Sequence, residues 1–212
     1  MTVAPRNDFA IAPDPEVLDA IRQRGLHFAV WRRRLDATVT QALEPWTARA
    51  SLEVDAIVRG DRSVDRVVSE LATLPASAWM TADVARLLAR FRAVSGASDV
   101  RLTLAVRRTD ACRKFHADFV RLRLITTYVG PGTEWVPAHA IRREILAAPP
   151  ECPREANRRI VRDRRAIRHA RAGDVLLLKG EHYEGAPGAV HRSPPIVERG
   201  LARLVLTLST CT

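Results

Sequence analysis

The chain has 212 residues and a mass of 23.6 kDa, with 47% hydrophobic and 27% charged residues, the balance of a folded globular chain rather than a disordered one. No apolar run approaches the roughly 20 residues of a membrane span. Residues 1–10, with Arg6, Asn7 and Asp8, lack the apolar core of a secretory signal, and three cysteines are too few for a disulfide framework, so a cytoplasmic protein is expected. The net charge is +10 with a pI near 10.9, carried by 32 arginines and only two lysines, Lys114 and Lys179.

In chain order, 26–31 reads as a strand, and Leu35, Val39, Leu43 and Trp46 recur at helical spacing. Residues 51–58 alternate like a strand, with Leu52, Val54 and Ala56 on one face. Val64, Val67, Val68 and Leu71 form a helical stripe. Thr81 is placed to cap a helix carrying Val84, Leu87, Leu88 and Phe91, ended near Gly96. From residue 100 the character changes. Strands are expected at 100–107, 120–129 and 133–136, the last two separated by the turn Gly130-Pro131-Gly132. An arginine-rich insertion, 137–171, is punctuated by Pro149, Pro150 and Pro153. Strands at 175–178, 189–191 and 201–208 follow. Short strands with Gly/Pro turns point to a sandwich or barrel, with the helices covering one sheet and the strands at 26–31 and 51–58 extending it. No linker interrupts this pattern. A single domain over 1–212 is expected: a mixed α/β part at 1–98 and a β-barrel core at 99–212.

The charge is unevenly spread. Residues 101–172 hold 17 basic and 7 acidic side chains, and the rest of the chain is neutral. Such a patch attracts nucleic acid or another polyanion, or is simply a solvated basic face. The insertion 137–171 is expected beside the site mouth, where it could act as a substrate lid, with 154–171 largely helical or mobile and at the rim rather than in the core.

The chemistry centres on His116-Ala117-Asp118. In extended chain, residues i and i+2 project to one side, so an imidazole and a carboxylate can meet one ion. His191, after the small-residue run Gly185-Ala186-Pro187-Gly188-Ala189, is the best third ligand. Two histidines and one carboxylate with open positions are the ligand set of non-haem Fe(II) oxygenases. Arg203 shares strand parity with Val205 and Thr207, while Leu204, Leu206 and Leu208 face the other way. A buried guanidinium needs an anion, either a ligand carboxylate gripped bidentately or an acidic residue of the protein. Cys112 lies four residues before His116 and offers a zinc-type pair, although no second pair is evident. Glu134 reads as an acid, a fourth ligand or a solvated strand end. His182 could reach the site mouth, and His139 and His169 read as surface or structural. The tryptophans 31, 46, 79 and 135 read as packing.

The blocks CRKFHADFVRLRLITTYVGPGTEWV, GDVLLLKGE and GAVHRSPP, with Ala29-Val30-Trp31-Arg32-Arg33, resemble a bacterial family filed as domain of unknown function 1826. The order of H-x-D triplet, strands, His191 and Arg203 is similar to that of the Fe(II)/2-oxoglutarate-dependent dioxygenase superfamily. The resemblance implies a mostly-β fold with flanking helices: a double-stranded β-helix, jelly-roll or cupin-like, with the N-terminal helices packed on its larger sheet. It further implies Fe(II) on His116, Asp118 and His191, with the distal carboxylate of 2-oxoglutarate on Arg203 and assisted by Tyr128. Val205 stands where many members carry a polar residue, and Arg192 or Arg199 could take the carboxylate instead. The expected activity is hydroxylase-type oxygenation of a small-molecule or polyanionic substrate. The alternatives are a non-enzymatic zinc-binding protein of metal homeostasis, as the family's association with zinc-homeostasis genes suggests, and a cupin-like metalloenzyme without 2-oxoglutarate.

Overall fold

The structure is a computed structural model that describes residues 8–60, 65–146 and 152–211. Among the described residues ten strands run in chain order: β1 (Phe9–Ala12), β2 (Phe28–Trp31), β3 (Glu53–Arg59), β4 (Asp99–Arg107), β5 (Leu122–Val129), β6 (Glu134–Trp135), β7 (Arg168–His169), β8 (Val175–Lys179), β9 (His191–Arg192) and β10 (Arg203–Thr210). The α-helices are α1 (Ala37–Thr47), α2 (Asp65–Leu71), α3 (Ser77–Ser95), α4 (Arg143–Leu146) and α5 (Pro153–Ile160). Seven strands form one mixed sheet in the order β1-β2-β8-β5-β10-β4-β3, in which only β1 and β2 pair in parallel. Three short strands form a second sheet, β7-β6-β9, and an isolated antiparallel bridge adds His116 beyond β9.

The alternation read in the sequence sorts side chains to the two faces of the large sheet. Leu102, Leu104, Leu124, Leu206 and Leu208 face the helices and pack with Leu43, Leu87 and Phe91. Ile125, Leu176, Leu178 and Val205 face the small sheet and meet its Trp135 and Ala189. The Trp135 ring packs between Phe28, at 4.6 Å, and Phe9, at 5.0 Å. A third cluster joins Phe115, Val136 and Val190 to Ile141, Ala156 and Ile160, so the insertion covers the outer face of the small sheet.

From β4 onward the chain passes between the two sheets, with β5, β8 and β10 in the large one and β6, β7 and β9 in the small one. No strand pairing joins the sheets among the described residues, so the arrangement is two facing sheets rather than a closed barrel. The small strands are two residues each, and Pro137, Pro194 and Pro195 beside them lack the N–H a longer ladder needs.

Most expected elements form within a few residues of their predicted bounds. Thr81 does not cap its helix, because Ala76 turns through a left-handed conformation (φ 56°) and α3 begins at Ser77. Gly96 ends that helix as predicted, at φ 70°. Strand β9 is shifted one to two residues from the predicted 189–191. Val64, Pro149 and Pro150 lie outside the described residues. The segment 154–171 is one helix, a single 3-10 turn and the strand β7, with its arginines exposed and Ala156, Ile160 and Val161 buried beneath them.

Candidate metal centre

His116 and His191 exchange both backbone hydrogen bonds, at 3.0 and 2.9 Å, which fixes their side chains on one face with ring centroids 4.8 Å apart. Asp118 follows in irregular chain held against the end of β8, where the Glu181 N–H donates to its carbonyl at 2.8 Å. Gly180 permits this approach. A Cβ there would lie 1.9 Å from the Val120 oxygen and 2.7 Å from the Asp118 oxygen.

The three side chains converge. His116 Nε2 is 3.6 Å from Asp118 Oδ1, His191 Nε2 is 3.2 Å from Oδ2, and one ligand atom from each residue lies within 4.8 Å of the others. The opposite ring nitrogens face backbone carbonyls: His116 Nδ1 is 2.8 Å from Lys114 O, and His191 Nδ1 is 3.1 Å from Ala189 O. With Nδ1–H donating to those carbonyls, both Nε2 lone pairs point at the carboxylate. Asp118 Oδ2 is buried and accepts no well-aligned hydrogen bond. Arg123 Nη1 lies 2.9 Å from Oδ2 without that alignment, and two Nε2 lone pairs facing the same carboxylate call for a proton or a cation between them. The donor set, two imidazoles and a carboxylate, fits a divalent transition metal.

The electrostatics agree. Burial works against charge on Asp118, but the His116 and His191 imidazoles and Arg123 outweigh it and hold the carboxyl well below the usual range. Burial likewise opposes the His116 imidazolium, yet Asp118 and the Lys114 carbonyl raise its pKa.

Arg203 is 3% exposed and sits on the face of the large sheet turned to the small one. Its Nε donates to Pro131 O at 2.7 Å and its Nη2 to Thr127 Oγ1 at 3.2 Å. Among the described residues no carboxylate forms an ion pair with it, and burial lowers its pKa to about 10, partly offset by Glu134. Gly130, at φ 84°, makes room for it: a Cβ there would meet Ala202 O at 2.5 Å and Arg203 Cγ at 3.1 Å.

Three expectations need correction. Tyr128 does not join this face. It points to the helix side, where its hydroxyl donates to Asp83 Oδ2 at 2.9 Å, because strand parity places it with Leu124 and Thr126. Glu134 is neither a ligand nor a solvated strand end. It is 7% exposed and accepts from Arg192 Nε at 2.6 Å, with His169 Nδ1 at 3.5 Å, which also commits Arg192. Cys112 and Cys152 are exposed and belong to no metal-competent group among the described residues. His139, His169, His182 and Arg199 are exposed, and His182 lies beside the exposed Phe119 with rings 6.2 Å apart. Arg123 was not anticipated. It lies on the same face of β5 as Ile125 and Thr127, with Nη1 2.9 Å from Asp118 Oδ2 and Nε donating to Ser209 Oγ at 2.9 Å. A charged residue within a strand, with the parity of Ile125 and Thr127, is the signal that marks it.

Among the described residues no helix is long and apolar enough to cross a membrane. No curated protein matches the chain. Among solved structures it is similar to a Pseudomonas putida prolyl-4-hydroxylase, at 12% identity over 92% of this chain and 97% of that one, with a TM-score of 0.47. It is also similar to the Fe(II)/(alpha)ketoglutarate-dependent dioxygenase TqaL, at 14% identity over 82% and 74% of the two chains, with a TM-score of 0.44. The family model described as "Protein of unknown function (DUF1826)" matches residues 12–209, and the chain belongs to that family.

Proposed function

We propose that the protein is a mononuclear Fe(II)- and 2-oxoglutarate-dependent oxygenase built on a double-stranded β-helix. The observation that carries this reading is the convergence of two Nε2 lone pairs on the Asp118 carboxylate, together with a buried Arg203 on the facing sheet that pairs with no carboxylate among the described residues. The passage of the chain between two facing sheets supports the fold assignment.

His116, Asp118 and His191 would hold the ion through two imidazole nitrogens and one carboxylate. The Lys114 and Ala189 carbonyls fix the two imidazoles in the tautomer that ligates. Arg203 takes the distal carboxylate of 2-oxoglutarate, with Thr127 and the Pro131 carbonyl holding its guanidinium in place before the ligand arrives. Ile125, Trp135 and Val205 line the space between the sheets and exclude water. Iron with 2-oxoglutarate supplies oxidation of a substrate C–H bond by dioxygen.

Anaerobic titration of the protein with Fe(II) and then 2-oxoglutarate tests the reading. A metal-to-ligand charge-transfer absorption that saturates with 2-oxoglutarate is expected. Tight metal binding with no affinity for 2-oxoglutarate would replace the oxygenase with a metal-binding module for zinc or another divalent ion.

A further inference from the structure

A second cavity lies on the outer face of the small sheet, behind the histidine pair. Its volume is about 350 Å³, within the range of small-ligand sites. Helix α5 lends it Arg154, Asn157 and Arg158, which share one helix face by their spacing, while Ala156 and Ile160 of the same helix turn into the core. Arg164 and Ile167 continue that wall, and Arg113, Phe115 and Arg192 close the side nearest the sheet.

The charges here are unbalanced. Of the two carboxylates in the lining, Asp110 accepts from the backbone N–H groups of Ile196 and Val197, at 2.8 and 3.1 Å, and lies 3.5 Å from Arg113; Glu198 is exposed on the rim. Arg192 is committed to Glu134. Arg154, Arg158 and Arg164 have no carboxylate partner among the described residues, although they line one concavity where their charges repel.

We propose that this cavity binds a small organic phosphate carrying a diphosphate or an equivalent pair of anionic groups. Guanidinium forks match phosphate oxygens in pairs, and three of them answer more charge than a single carboxylate brings. Phe115, Val161 and Ile167 give the cavity an apolar floor for the organic body. The whole net charge of the chain falls within 101–172, so its field draws anions toward this face. The concave shape favours a small molecule over the open contact a nucleic-acid strand makes. The inference does not depend on the metal centre.

The test is calorimetric titration of the full chain with sodium pyrophosphate, and separately with adenosine diphosphate, at low ionic strength with EDTA present. Saturable one-to-one binding is expected, tighter for the nucleotide because the floor takes its organic part. Arg158→Ala and Arg164→Ala should each weaken it roughly tenfold. Arg158→Lys should restore only part of the loss. Arg59→Ala, on β3 and paired with Asp99, should leave binding unchanged. No saturable binding of either probe, or binding indifferent to Arg158 and Arg164, overturns the proposal. An oligonucleotide affinity that depends on these arginines while pyrophosphate fails to compete also overturns it, and assigns them to a nucleic-acid surface.

Discussion

The large sheet buries an arginine on each face, and the two are satisfied differently. On the helix side Arg33 grips Asp83 with two hydrogen bonds, at 2.5 and 2.9 Å. Arg86 and the Tyr128 hydroxyl complete that carboxylate, at 2.6 and 2.9 Å. Every strong acceptor there is taken, which is how a structural network closes. On the other side Arg203 holds a carbonyl and a hydroxyl but, among the described residues, no carboxylate, and Asp118 meets a single guanidinium, that of Arg123 at 2.9 Å, beside two imidazoles. A fold that can close one network on one face leaves the other open where a ligand completes it.

The sharpest way to break this contrast is to remove a triad member. His191→Ala should abolish stoichiometric binding of Fe(II) or Zn(II), measured by competition with a chromophoric chelator, while the melting temperature falls little. Retained tight binding would move the metal elsewhere. On the closed side, Asp83→Ala should lower stability by about 3–5 kcal/mol, because Arg33 is left buried and unpaired. Chemical denaturation measures this, and metal affinity should stay unchanged. Arg203→Met should behave in the opposite way. It should not destabilise the fold, since it removes a buried charge that no carboxylate answers, but it should weaken 2-oxoglutarate binding roughly 10- to 100-fold. A large loss of stability would place Arg203 with Arg33 as a structural residue.

The smallest expected effect is on pH dependence. The metal-free His116 has a raised pKa, so at pH values below it the ion must displace a proton. Apparent metal affinity should fall as the pH drops through that pKa, by at least about tenfold per pH unit below it. Asp118, with its carboxyl held low, stays ionised throughout and adds no second step in that window. Titrations between pH 5 and 8, a window roughly centred on the ordinary histidine range, would show it.

The grouping of His116, Asp118 and His191 was legible in the sequence because its signal is local. Two ligands two residues apart and a histidine after a run of small residues need no knowledge of distant contacts. The strand faces were legible for the same reason. Tyr128 was misplaced by analogy, although its parity with Leu124 already set it on the helix side. The pairing of Glu134 with Arg192 joins positions 58 residues apart, which no spacing rule reaches. Strand β7 is two exposed residues inside an arginine run, too short to alternate, and β1 lies among prolines that hide its pattern. The cavity beside α5 depends on helix and sheet meeting across the insertion, so composition revealed its charge but not its shape.

The last strand of the chain, β10, occupies the middle of the large sheet, between β4 and β5. A growing polypeptide can therefore pair β3 with β4, and β5 with β8 and β2, but it cannot unite the two halves until residues 203–210 arrive. Until then β4 and β5 each present a bare hydrogen-bonding edge, the kind of surface that recruits other chains. Completion of the sheet waits for β10, and the contacts it needs are distant in sequence, which makes folding slow. The segment that brings Arg203 to its place is thus also the one that closes the aggregation-prone gap, so a deletion within β10 should be read out first as insoluble protein rather than as a quiet loss of ligand binding.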